Sequence, residues 1–423
     1  MTYDAPLLTT LVTGLFLAFV FGLIANRLKL PLIAGYLMAG IAIGPFTPGY
    51  VADMGIASQL SELGVILLMF GVGMYFSARD LMTVRGIAVA GAVAQVVLSC
   101  LGGMLLGRAL GWSLAGGAIF GLSLSVASTV VLLRVLTERN LMSEPLGRVA
   151  MGWLVVQDLI MVLVLVLIPP LAGLIGGVQA PLEPGAATEV ARMGLSPLWA
   201  TLLTTAAKIV SFVALMLVVG SRVIPSALHH VDENGPPELF RLAVLAIGLG
   251  VAYGSTLFFG VTFSLGAFFA GMVMAGSPLS TQAMKDTLPL RDAFAVLFFV
   301  SVGMLFNPAV LWTEPLALLA TVVVILLVKT VGAWAVLRAF GHSQPEALFL
   351  AGSLAQIGEF SFILISMTVD LQVIPAMARD LVVAGAMLSM LVNPVMILIG
   401  SRLSARLTAR RGQRLRPKQT VQP

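Results

Sequence analysis

The chain has 423 residues, 59% of them hydrophobic and 10% charged, with a net charge of +5 and a mean hydropathy of +1.04. Soluble domains carry about 25% charged residues, so a soluble enzyme, a disordered chain and a nucleic-acid-binding module are excluded. A membrane-crossing helix needs about 20 apolar residues, and the length therefore predicts an all-α polytopic membrane protein of about a dozen spans. The single cysteine, Cys100, excludes an intramolecular disulfide and a cysteine metal cluster.

In chain order, thirteen apolar stretches fall at 7–24, 31–45, 59–78, 86–107, 112–136, 147–172, 198–221, 239–257, 261–276, 293–310, 315–337, 346–369 and 380–401. They lack the alternation of outer-membrane barrel strands, so helices are expected. The first stretch has no basic start or small-residue cleavage site, and no cleavable signal peptide is expected. Basic residues test this division. The span ends and connections on the side reached after odd-numbered spans hold nineteen Lys and Arg, among them Arg27, Lys29, Arg134, Arg222, Arg291 and seven from Arg402 to Lys418. The other side holds Arg108, Arg192 and Arg379, and only Lys208 and Lys329 lie well inside spans. This bias predicts an outside N-terminus and a cytoplasmic C-terminus in a bacterial-type inner membrane. The basic tail reads as an anchor that touches anionic lipid.

The two halves echo each other. Gly35-Tyr-Leu-Met-Ala39-Gly40 returns as Gly266-Ala-Phe-Phe-Ala270-Gly271, and Val72-Gly73-Met74 with Phe76 and Leu81 returns as Val302-Gly303-Met304 with Phe306 and Leu311. Ala118 and Phe120 match Ala347 and Phe349. The displacement spans seven helices, an odd number, so the second unit is inverted. The expected organisation is a first six-span repeat over 1–175, a connector with span 7 over 176–237, an inverted repeat over 238–403 and a basic tail over 404–423. Inverted repeats are a recurrent design of secondary transporters.

Charges inside the bilayer cost several kcal/mol on most scales and mark function. Asp158 follows Gln157 in span 6, with apolar flanks on both sides. A carboxyl out of water holds either a proton or a dehydrated cation. The Gln157 carbonyl offers a ligand, an orienting group or a packing hydrogen bond. Lys329 in span 11 is the expected partner of Asp158, whereas Lys208 in the connector span reads as a snorkelling side chain. Spans 5 and 12 look broken, at Gly121-Leu-Ser-Leu-Ser-Val-Ala-Ser-Thr and Gly352-Ser-Leu-Ala-Gln-Ile-Gly-Glu-Phe. Interrupted helices at equivalent places of two repeats point to a substrate site. Ser128 and Thr129 are candidate cation ligands, and Glu359 is expected to neutralise the half-helix ends. His229-His230, expected in a loop, lacks the further ligands a metal site needs.

These motifs resemble the Kef-type branch of the monovalent cation–proton antiporters, over almost the whole chain. Gln157-Asp158 is similar to that branch's Gln-Asp motif, Ala355-Gln-Ile-Gly-Glu359-Phe to its Ala-Gln-Gly-Gly-Glu-Phe segment, and Ser128-Thr129 to the break in span 5. Leu290-Arg-Asp-Ala-Phe and Leu297-Phe-Phe-Val-Ser-Val-Gly-Met are also highly similar. The resemblance implies thirteen spans with crossed broken helices, a moving core domain and a homodimer-forming domain. It further implies K+ or Na+ exchange for H+, K+ foremost, with Asp158 as carrier and Lys329 at the position of the family's span-11 lysine. No cofactor is expected beyond the transported ions. Glutathione-gated members carry His-Ala-Leu-Glu after span 9, where a loop reading Gln282-Ala-Met-Lys285 is expected here. Those members continue into a cytoplasmic Rossmann-type regulatory domain; no Gly-x-Gly-x-x-Gly follows the last span here, so any regulatory domain or subunit is expected to lie outside this chain.

Three rivals are weighed against the antiporter. A cation channel lacks a Thr-Val-Gly-Tyr-Gly-like filter here. An organic-anion symporter of similar fold is separated by competition with alkali cations. A membrane enzyme has no nucleophile–base set.

Overall fold

The computed structural model describes residues 6–28, 30–75, 78–141, 144–178 and 197–414. Lys29, Phe76, Arg192 and the tail beyond Arg414 lie outside the described residues, as do the side chains of Leu81, Arg134 and Glu359. Regular structure among the described residues is helical. The first half holds α1 (Pro6–Arg27), α2 (Leu32–Ile43), α3 (Met54–Tyr75), α4 (Ala78–Ala109), α5 (Leu114–Ser125), α6 (Thr129–Glu138) and α7 (Pro145–Leu171). There follow α8 (Pro197–Leu215), a π turn at Met216–Gly220 and α9 (Ser221–Asn234). The second half holds α10 (Pro237–Phe259), α11 (Phe263–Ala275), α12 (Ser280–Met304), α13 (Pro315–Val323), α14 (Lys329–Ala339), α15 (Gln344–Ser353), α16 (Glu359–Asp370) and α17 (Ala376–Arg414). A second π turn, Val324–Val328, joins α13 to α14.

Nine helices among the described residues are long and apolar enough to cross a membrane. Four shorter apolar helices, Leu32–Ile43, Leu114–Ser125, Phe263–Ala275 and Phe360–Asp370, stand in expected stretches 2, 5, 9 and 12. Three expected edges are corrected. The seventh span continues past 221 to Asn234, the tenth span begins at Ser280 rather than near 293, and the thirteenth runs on as helix to Arg414 rather than ending near 401. His229-His230 and Gln282–Lys285 therefore lie on α9 and α12, not in loops. Hydropathy marks only the apolar part of a helix, and the polar turns beyond it are laced by side chains. His229 Nε2 meets Glu233 Oε1 at 3.2 Å, one turn on. Arg241 Nε meets Asp286 Oδ1 at 3.4 Å, and Gln282 Nε2 donates to Asp232 Oδ1 at 3.3 Å.

The chain divides into two compact units, each built from both halves of the sequence. One comprises Met1–Arg79, Leu159–Pro308 and Met367–Ala376, and the other Asp80–Asp158, Ala309–Ser366 and Met377–Pro423. In the first unit, α2 crosses α12 where Gly40 faces the backbone of Val300 and Gly303, and α3 crosses α11 where Gly73 faces the backbone of Phe268 and Met272. Gly271 in turn faces Phe70 and Met74, and Gly303 faces Leu37 and Gly40. Under the displacement seen in the sequence these two crossings exchange partners. Any Cβ at these glycines would strike main-chain atoms, so the small residues allow a backbone approach that membrane helices use in place of hydrophobic burial.

The second unit carries a match that the sequence reading passed over. Arg108-Ala-Leu-Gly-Trp-Ser113 precedes α5, and Arg338-Ala-Phe-Gly-His-Ser343 precedes α15. Gly111 and Gly341 share a left-handed backbone, with φ of 79° and 85°, which glycine adopts without strain. Ser113 and Ser343 then cap their helices, accepting from Gly116 N–H and Glu346 N–H. Ser343 adds a capping box, its own N–H donating to Glu346 Oε2 at 2.9 Å.

Candidate functional site

Two helix interruptions meet within the second unit. α5 ends at Ser125 and α6 begins at Thr129, while α15 ends at Ser353 and α16 begins at Glu359. An interruption frees backbone groups that must be paired again. Here the two breaks pair with each other, Gly358 N–H donating to Val126 O at 3.1 Å. Gln356 extends the pairing through its side chain: its Oε1 accepts from Ser128 N–H at 2.8 Å, and its Nε2 donates to Ser128 O at 3.3 Å. Gln157 treats the first break in the same way. Its Oε1 accepts from Ala127 N–H at 3.3 Å, and its Nε2 donates to Ser125 O at 3.3 Å. Two glutamine amides thus stand in for the missing helical partners of residues 125–128.

Asp158 lies beside this crossing on α7 and is 3% exposed. Thr129 Oγ1, at the first residue of α6, donates to Asp158 Oδ2 at 3.3 Å. The carboxyl therefore stands at the positive end of a half-helix, where negative charge is favoured. Ser128 is buried, and its Oγ caps α6 by accepting from Val131 N–H at 3.4 Å. Lys329, fully buried at the start of α14, donates from Nζ to Gln356 O at 2.6 Å. Asn393 on α17 donates from Nδ2 to Gly352 O at 2.9 Å. An amine and an amide thus cover carbonyls of Gly352 and Gln356, at the end of α15 and in the break that follows it.

The sequence reading brought Asp158, Thr129, Ser128, Gln157 and Lys329 to one place, and all five belong to this constellation. Lys329, the expected partner of Asp158, is placed in the constellation by its bond to Gln356 O in the second break. The backbone of Glu359 opens α16, while its side chain lies outside the described residues. Gln95, Trp153 and Asn393 carry no motif in the sequence, and Gln356 lies inside the 355–360 motif. Gln95 and Asn393 are buried amides on apolar helices, Trp153 is a buried indole on α7, and Gln356 is a buried amide in the break between α15 and α16.

The sodium/hydrogen exchanger transmembrane family model matches residues 15–399, nearly the whole chain. The chain belongs to the sodium/hydrogen exchanger family. It is a membrane transporter that exchanges a monovalent cation for a proton. It is 52% identical, over 94% of its length, to an Escherichia coli (strain K12) protein named as a candidate cation/proton antiporter, YbaL, and spans 69% of that relative. It is 32% identical, over 86% of its length, to K(+) efflux antiporter 4 of Arabidopsis thaliana and spans 59% of it. The fold matches the sodium proton antiporter MjNhaP1 of Methanocaldococcus jannaschii, with a TM-score of 0.66, 18% identity and coverage of 95% of this chain and all of that one.

The exchanger's two intramembrane lysines should differ sharply on substitution. A buried acceptor left unpaired costs about 1–3 kcal/mol, so Lys329→Met, which removes the donor to Gln356 O, should lower stability by that order and weaken ion–proton coupling. Lys208 is half-buried on α8 in the other unit, and Lys208→Met should cost less than about 1 kcal/mol. Thermal unfolding and proteoliposome transport check both, and equal losses contradict the assignment.

Proposed function

We propose that this chain exchanges K+ for H+ by alternating access, with Asp158 binding the two ions in turn. The observation that carries the reading is the burial of Asp158 at the crossing of the two helix breaks, with the Thr129 hydroxyl on its Oδ2. A carboxylate withdrawn from water is costly unless a proton neutralises it or a cation replaces its hydration. Those two solutions exclude each other at one carboxylate, and that exclusion is the coupling. Thr129 Oγ1 offers an oxygen to a cation while remaining a donor to the carboxylate. The exchange of contact partners between α2/α12 and α3/α11 supports reading the halves as an inverted repeat, the arrangement in which a midplane site faces each side alternately. The basic residues favour an outside N-terminus and a cytoplasmic C-terminus. Potassium is favoured by the K+ efflux antiporters among the relatives.

Purified protein in liposomes, given one alkali cation at a time under a proton gradient, tests the reading. K+-dependent proton movement supports it, and exchange with Na+ alone overturns the potassium assignment. One carboxylate trading one proton for one cation moves no net charge. An imposed potential of 100 mV should leave the rate nearly unchanged, whereas one net charge crossing the membrane would be biased by about 2.3 kcal/mol. Strong voltage dependence would refute one-for-one exchange.

A further inference from the structure

Resting on that reading of the site, we propose that Gln95 is a positioning residue for exchange. With Trp153 it locks the Gln157 amide onto the helix break, so that Gln157 shapes the site beside Asp158 instead of ligating the cation.

Trp153 Nε1–H can only donate, and it donates to Gln95 Oε1 at 2.9 Å. Amide oxygen and nitrogen are assigned from their partners, and here the indole decides: the oxygen of Gln95 must face it. That same oxygen accepts from Gln157 Nε2 at 2.8 Å. The Gln157 nitrogen therefore faces Gln95, and its oxygen faces the opposite way, toward Ala127 N–H. All three side chains are fully buried. Trp153 and Gln157 are four residues apart on α7, one turn along the same face, so a single helix presents both donors to α4. The chain of constraints runs from the indole through Gln95 to Gln157, and from Gln157 to Ser125 O and Ala127 N. A Gln157 amide committed at both ends to that backbone is occupied with holding residues 125–127, two residues from the Thr129 hydroxyl that meets Asp158.

Gln95→Met keeps the volume of the side chain and removes the shared acceptor. If Gln95 acts by positioning, the cation KM should rise about fivefold, the worth of one net hydrogen bond of about 1 kcal/mol, while the maximal rate per folded protein changes less than twofold. The deciding readout is a double-mutant cycle. Gln95→Met should raise KM in the wild type but add nothing in a Gln157→Met background, because its effect passes through Gln157. Trp153→Phe, which removes only the indole N–H donor, should raise KM in the same direction and is the variant to use if Gln95→Met fails to fold. Unchanged KM, or KM effects that multiply independently across the cycle, would overturn the proposal. Asp158→Asn run alongside separates the two failures: loss of exchange there with a flat Gln95 response rejects only the positioning role, whereas active Asp158→Asn rejects the carrier itself.

Discussion

Asp158→Asn is expected to give a folded protein that moves no cation against a proton gradient. Asparagine preserves the shape of the side chain and an oxygen able to accept from Thr129 Oγ1, now 3.3 Å from Asp158 Oδ2. What it removes is the one charge that can be cancelled by a proton or matched by a cation. Both transport and ligand-linked stability should disappear together. A cation at 100 times its Kd stabilises a site by about 2.7 kcal/mol, so the wild type should melt higher as K+ is added and the variant should not respond. Asp158→Glu, which keeps the carboxyl but moves it by one methylene, should retain some exchange with a displaced pH optimum. Proton-coupled transport at the wild-type rate by well-folded Asp158→Asn would sink the carrier assignment.

Gly358→Ala should do damage at the site out of proportion to the single methyl it adds. A Cβ there would stand 2.8 Å from Ser128 Cα, 3.0 Å from Ser128 N and 3.1 Å from Ala127 O. Carbon atoms rest about 3.5–4.0 Å apart, and the neighbours here are backbone, which cannot turn aside as a side chain would. Relief requires the two breaks to separate, which endangers the bonds from Gly358 N–H to Val126 O and from Ser128 N–H to Gln356 Oε1. Overpacking costs about 1–3 kcal/mol and an unpaired buried backbone group a similar amount, giving an expected loss of about 2–6 kcal/mol. Transport should fall with it. Gly250→Ala is the control, because a Cβ at Gly250 meets nothing within 4 Å. A Gly358→Ala protein as stable and as active as the control would show that the breaks are not held this closely.

The sequence made Asp158 and Lys329 legible for one reason: a charge within an apolar helix is too costly to be incidental. The two breaks were legible because small and hydroxyl residues cluster at matching places in the repeat. Gln95 and Gln356 were not, since an uncharged amide without a charge beside it reads equally as packing. Gln95 acquires meaning only when its oxygen is seen between an indole on α7 and a second amide one turn along. The helix extensions at Ser221–Asn234 and from Ser280 were hidden for the converse reason. Their turns are polar, and nothing in hydropathy separates a polar helix from a loop. Arg108–Ser113 and Arg338–Ser343 could have been found by aligning the basic turns as well as the apolar ones.

The π turn at Val324–Val328 has a consequence for phase. From Ala317 the buried positions of this span run Thr321, Ile325, Lys329, Ala333 and Leu337, one every four residues, while Leu319, Val323, Leu327 and Val331 stay exposed along the opposite side. An α-helix advances by 3.6 residues per turn, so a four-residue rhythm drifts by about 40° at every step. A π turn is the equivalent of one residue inserted into the helix, and it takes back about 100° of that drift. Without it, the stretch beginning at Lys329 would be rotated by about 100° toward the exposed Leu327–Val331 stripe, and the amine would turn away from the Gln356 carbonyl. One surplus residue in the winding is what allows a lysine in the middle of this apolar span to point inward.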